Sequence, residues 1–242
     1  MYKRIIGLVL LDDGYVCRTR NFISDYLYND LFIDTKYFDE IAFIDVTKDR
    51  SSESISLFAS TIEKLMKNSQ LPMAIGGGIN RLNDIKAYRS LGADRYIINQ
   101  SSSSKDAFVK QATEVFGQST IISAVDHWGQ NTFVAGQRST VSLRSRLVEI
   151  ADNSGSEVLL NSVEYDGSLI GYDKSSMHQV TDLITKPTLI AGGIGNWSHV
   201  LEGLEIENIA GVFTSNIYHL STSTVMNWRQ QIIARGGKVR SV

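Results

Sequence analysis

The chain has 242 residues, 43% of them hydrophobic and 21% charged, enough to bury one sizeable core, and a parallel α/β barrel uses this whole length as one domain. A formal net charge of -2 leaves no basic excess, which excludes nucleic acid and anionic membrane as charge-driven partners. Cys17 is the only cysteine, so neither an intrachain disulfide nor a cysteine metal cluster can form, as suits a reducing cytoplasm.

In chain order, the first apolar, β-branched run spans 5–11 and is broken by Asp12 and Asp13, too short for a signal peptide or a membrane span. Similar runs follow at 40–46, 72–75, 95–98, 120–125, 157–160, 188–191 and 211–213 and read as buried strands. Between most of them lie amphipathic stretches: Ile55, Phe58, Ile62 and Leu65, then Leu143, Leu147 and Ile150, fall at helical spacing. The serines at 101–104 read as a loop and helix start, and Trp197 and Trp228 as packing residues of helices. This alternation predicts a closed (β/α)8 barrel, and with two prolines and no Ser/Gly-rich linker nothing divides residues 1–242 into domains.

The chain also repeats itself. Glu40-Ile-Ala-Phe-Ile-Asp45 resembles Glu157-Val-Leu-Leu-Asn-Ser162, and Ala74-Ile-Gly-Gly-Gly-Ile79 resembles Ile190-Ala-Gly-Gly-Ile-Gly195. Gly92-Ala-Asp-Arg-Tyr-Ile-Ile-Asn99 resembles Ile209-Ala-Gly-Val-Phe-Thr-Ser-Asn216, so three pairs share an offset of roughly 116 or 117 residues, as a duplicated half-barrel gives.

Gly76-Gly77-Gly78 and Gly192-Gly193 each follow a strand and precede a helix. Glycine lets backbone N–H groups approach a phosphate closely, and a helix N-terminus adds favourable partial charge. Either loop alone is explained equally well by a tight turn. The partners favour anion sites: Asn99 ends the next strand in one half, Ser215 with Asn216 in the other, and Asp166-Gly167 lies beside the second. Two such sites across one barrel mouth suit a substrate with a phosphate at each end.

These residues, taken in order, resemble a known family over nearly the whole chain. Lys3-Arg-Ile-Ile6, Asp13-Gly14, Thr19 with Asn21-Phe22, Gly76-Gly-Gly-Ile79, Leu91-Gly-Ala-Asp94, Ala124-Val-Asp126, Asp166-Gly167 with Gly171-Tyr-Asp173, and Ala191-Gly-Gly193 are similar to the motifs of the HisF family. That family supplies the cyclase subunit of imidazole glycerol phosphate synthase. The resemblance implies ring closure with ammonia sent through the barrel by a HisH-type glutaminase bound at the N-terminal face.

The resemblance also implies two aspartates as an acid/base pair, ending the first and fifth strands. Asp126 matches the second, but the first position holds Leu10, which cannot exchange a proton. Asp13 matches a different acidic position of the family, and Asp12 shares the side of Leu10 only if the first strand continues. The substrate-gripping lysine of the first loop is Arg18 here, which keeps the charge and changes its geometry. A second constellation is unbroken. Arg4, Glu40, Arg95 and Glu157, at the starts of the first, second, fourth and sixth strands, match the salt-bridge ring that closes the family's ammonia channel. Its bland reading is an ion-pair network at the stability face. Asp94 matches a position at the glutaminase interface.

His127 adjoins Asp126 and reads as an orienting or substrate-binding residue or as a solvated loop histidine, and Trp128 as a cover on the mouth. His178, His199 and His219 show no metal-ligand spacing and no dinucleotide fingerprint is present, so neither a metal nor a cofactor is expected. Three readings of function follow: a HisF-like paralogue serving amidation or amidination of a surface sugar, the histidine-pathway cyclase itself, or a non-catalytic ammonia-channelling scaffold. The loss at Leu10 favours the first, with a third, sugar-modifying enzyme as a further partner.

Overall fold

Apolar β-branched runs alternating with amphipathic ones bury both by putting strands inside and helices outside. The fold is that of a computed structural model, which describes residues 2–28, 35–99, 103–134, 137–153, 155–215, 217 and 224–241. β1 (Arg4–Asp12) runs on into an antiparallel hairpin, β2 (Tyr15–Arg20) and β3 (Ile23–Tyr28). β4 (Glu40–Asp45), β5 (Met73–Gly76), β6 (Arg95–Ile98) and β7 (Ile121–Trp128) follow in parallel, and β7 continues into a second hairpin, β8 (Asn131–Val134) and β9 (Gln137–Ser142). β10 (Glu157–Ser162), β11 (Thr188–Ala191) and β12 (Ile209–Thr214) complete the circle, with β10 paired to β7 and β12 to β1. Eight parallel strands thus close into the expected barrel.

Seven described helices surround it: α1 (Ser52–Met66), α2 (Leu82–Ser90), α3 (Ser103–Phe116), α4 (Leu143–Asn153), α5 (Lys174–Leu183), α6 (Trp197–Glu205) and α7 (Val225–Ala234). α1 starts on a reciprocal cap between Ser51 and Ser54 and buries Phe58 and Ile62. Trp228 is fully buried in α7, and Trp197 in α6 lies under the Arg235 guanidinium. Among the described residues no helix is long and apolar enough to cross a membrane.

Side chains alternate along each strand, so two apolar layers result. Ile5, Ile41, Phe43, Ile75 and Tyr96 pack outward against the helices. Ile6, Ala42, Ala74, Ile97, Ile122, Ala124, Leu159, Leu189, Ala191 and Phe213 fill the lumen.

The two hairpins were not anticipated. Each is entered from its barrel strand by a two-residue turn: Asp13 and Gly14, between β1 and β2, have φ of 48° and 77°, the positive values a tight turn requires, and Gly129 opens the turn from β7 to β8 at 52°. Their register makes the repeat explicit. Leu10 pairs with Cys17 and Asp126 with Phe133, so adding 116 to each member of the first pair gives the second. Further round, Ile44 pairs with Gly76 and Asn161 with Ala191, an offset of 117 on one strand and 115 on the next. The glycine loops therefore correspond one residue earlier than the sequence match suggested, Gly78 to Gly193. In the last strand Ile98 pairs with Ser123 and Thr214 with Gly7, so the counterpart of Asn99 is Ser215 rather than Asn216.

Candidate functional site

The barrel has two polar ends. At the N-terminal end, Arg4, Glu40, Arg95 and Glu157 are the first residues of β1, β4, β6 and β10. Arg4 donates to Glu40 at 3.0 Å and to Glu157 at 2.5 Å, while Arg95 donates to Glu40 at 3.2 Å and to Glu157 as well. Every carboxylate thus meets both guanidiniums, and the four side chains close a ring. Gly211 makes room for it, since a Cβ there would stand 3.1 Å from the Cβ of Arg4. The Glu40 side chain is only 3% exposed, and burial pushes its carboxyl up against the opposing pull of Arg95 and Arg4. Above the ring the lumen is apolar. Asp94, nearby, is exposed and its carboxylate accepts the Met73 N–H at 2.8 Å.

At the C-terminal mouth, Asp126 faces inward from β7, partly exposed. Asn161, beside it on β10, donates to one carboxylate oxygen at 2.8 Å, and Asn99, at the end of β6, donates to the other. The same Asn99 amide also reaches the Phe133 carbonyl of β8 at 3.2 Å. Burial pushes the Asp126 carboxyl up to about 6, although both amides pull it down. The opposite half is apolar where this one is polar. Leu10 stands at the counterpart of Asp126, and Ile44, its neighbour on β4, at the counterpart of Asn161. β1 does continue to Asp12, so Asp12 lies on the side of Leu10, two residues further out.

The remaining expected residues are distributed around this mouth. Asp166 accepts from the Thr19 hydroxyl at 2.7 Å and the Phe22 N–H at 3.1 Å, tying its loop to the β2–β3 hairpin, and burial pushes its carboxyl up. Gly167 abuts the Thr19 carbonyl, and Gly193 the Gly171 carbonyl, each with positive φ and no space for a Cβ. Gly192 packs on the Ser162 backbone in the same way as Gly77 packs on Asp45. Over Gly78 lies the guanidinium of Arg50, which is anchored on the buried Asp45 at 2.5 Å and on the Tyr88 hydroxyl at 2.7 Å. Arg18 is paired with Asp25 through two bonds of 2.8 and 2.9 Å on the hairpin. Ser215 follows β12, while Asn216 and His219 lie outside the described residues. His127 is neither an orienting group nor solvated: it points outward from β7, 1% exposed, beside Ser176 and the Gly129 carbonyl, and burial lowers its pKa. Trp128 stacks on Phe133 with ring centroids 6.4 Å apart.

Comparison with known families agrees with an eight-stranded barrel of two matched halves that carries polar groups at its strand ends. Residues 9–224 match the model of the family described as histidine biosynthesis protein. The chain belongs to that family. The histidine biosynthesis proteins of this barrel type comprise the HisA isomerase and HisF cyclase enzymes, so the HisF-like resemblance read from the sequence falls within the family shown. Two residues at the mouth carry no signal of their role in the sequence. Asn161 sits inside a repeat pair with Ile44 as its counterpart, and Arg50 lies in a loop with no motif of its own.

Proposed function

We propose that this histidine biosynthesis family barrel is the acceptor subunit of a glutamine amidotransferase. A HisH-type glutaminase docks on its N-terminal face, ammonia enters through the ring of Arg4, Glu40, Arg95 and Glu157, and a phosphorylated or other anionic substrate waits at the mouth. The observation that carries this reading is the closure of that ring beneath an apolar lumen. Ion pairs serving stability alone can sit anywhere on the rim, whereas these four converge over one lumen. We assign the substrate's anionic ends to Gly78 with Asn99, and to Asp166, Gly167, Gly192, Gly193, Ser215 and Asn216, with Arg18 as a further cation at the mouth.

Asp126 is the proton-accepting group for the incoming nitrogen. Ring closure needs a second group opposite it, and Leu10 with Ile44 supplies none, which supports amidation or amidination of a sugar in place of imidazole formation. The product then passes to a third, sugar-modifying enzyme. The continuation of β1 to Asp12 favours a second reading, the histidine-pathway cyclase with Asp12 as substitute acid. Neighbouring genes discriminate the two, histidine genes against sugar-modifying ones. The glutaminase should co-purify and hydrolyse glutamine only when coupled to this barrel, and Arg95→Ala should leak ammonia. Unchanged coupling in that variant would assign the ring to stability alone.

A further inference from the structure

The carboxylate of Asp126 is held from both sides. Asn161 on one flanking strand donates to one oxygen at 2.8 Å, and Asn99 on the other flanking strand donates to the second. Each oxygen therefore has one lone-pair direction filled by an amide, and the plane of the carboxylate is defined by two neighbouring strands. Asn99 was expected to serve an anion. Its amide also donates to Asp126 and to the Phe133 carbonyl, which ties the second hairpin to the same cluster.

The duplicated half supplies an independent comparison. Leu10 pairs with Ile44 on β4 as Asp126 pairs with Asn161 on β10. Where the carboxylate is absent the amide is absent too, and an aliphatic side chain fills each place. An asparagine at an inward strand position, among residues such as Leu159 and Ala191, has no packing advantage over the isoleucine its counterpart uses. Its amide is used by the carboxylate.

We infer that Asn161 is a positioning residue for Asp126, which with Asn99 orients the carboxylate toward the mouth and favours its ionised form. The inference rests on Asp126 being the reacting carboxylate of the proposed function, but its test needs neither glutaminase nor acceptor. Amide donors stabilise the charged form, so removing one makes proton loss harder. The side-chain carboxyl carbon of Asp126, followed by NMR through a pH titration of the whole chain, reads this directly. In Asn161→Leu, which keeps the volume, the midpoint should rise by about one pH unit, as the loss of one hydrogen bond to a charged group implies. Asn161→Ser, which shortens the side chain out of reach, should raise it too and serves if the leucine variant does not fold.

Ser162→Ala is the control, because Ser162 is the next residue on β10 and is buried on the outward side. It should leave the midpoint where it is. An unmoved midpoint in a folded Asn161 variant would overturn the inference, and so would an equal rise in Ser162→Ala, which would mark the effect as a general response to altered packing. Failure here leaves the proposed ammonia route standing, since that depends on the ring at the other end.

Discussion

Replacing Arg95 by alanine removes one of two cations from a ring that holds two carboxylates. In the parent, Glu40 meets Arg95 at 3.2 Å and Arg4 at 3.0 Å, and Glu157 meets both as well. The variant leaves Arg4 alone between two largely buried acids. Removing one partner of a buried pair costs about 3–5 kcal/mol, and because Arg4 remains in place the lower figure, about 3 kcal/mol, is expected here. For a chain of this length that corresponds to a fall in Tm of roughly 6–12 °C. The pH dependence is more diagnostic. Burial already holds the Glu40 carboxyl above its ordinary value, and Arg95 is its main counterweight, so the variant pushes it higher still. An acid whose folded pKa is raised destabilises the fold above that pKa and ceases to do so as it takes up a proton. The penalty should therefore be full at alkaline pH, where the carboxyl is ionised, and shrink as the pH falls through its raised value toward the ordinary carboxylate range. Urea unfolding of parent and variant at both ends of that window measures it. A variant as stable as the parent, or a penalty that grows on acidification, would refute the ring as a coupled, desolvated network.

The same sign argument applies at the mouth: with its carboxyl raised from 3.8 to about 6, Asp126 destabilises the fold above that value, so Asp126→Asn should gain stability at pH 8 and lose the gain below about pH 4, as paired unfolding curves will show. If Asp126 accepts the proton of the reaction, then once the acceptor is supplied the rate at a constant concentration of free ammonia should rise with pH through about 6 and then level. With the histidine-pathway substrate and ammonium salt, the protein should show little ring closure, a deficit of at least ~10²- to 10⁴-fold, and Leu10→Asp should recover part of it; robust turnover by the parent would point to Asp12. Gly193→Ala should be severely destabilising, since its φ is 90° and its Cβ would lie 1.8 Å from the Gly171 carbonyl, whereas Gly117→Ala, at φ 92° with nothing within 4 Å, should cost only the backbone strain of about 1–2 kcal/mol, a contrast that thermal melts resolve. Soaking crystals in phosphate or sulfate should place anions at Gly78 with Asn99 and at Gly167, Gly193 and Ser215; empty loops would remove the requirement for a bisphosphate.

Much of the architecture is local and therefore legible. A buried parallel strand must be a short, continuous β-branched run, so eight such runs with helical periodicity between them already specify the barrel, and the half-chain repeat specifies its duplication. Charge at a strand start is equally visible, and Arg4, Glu40, Arg95 and Glu157 could be named before any coordinates. The first hairpin is legible too: Asp13-Gly14 between apolar runs is a hairpin signal as well as part of a motif. What sequence could not supply is which side chain meets which across strands far apart in the chain. Whether four charges ring one axis, whether Asn99 reaches Asp126, and whether the glycine loops correspond at 115 or 116 residues are all decided by hydrogen-bond register. A shift of one residue in a strand moves a side chain from the lumen to the helix layer, and that is why His127 and Asp126, adjacent in sequence, ended on opposite faces of β7. Residue types along the chain determined that this would be a duplicated barrel with a charged floor; only the closing of the sheet, which brings β7 against β10, determined that Asp126 at its mouth would be gripped by two amides.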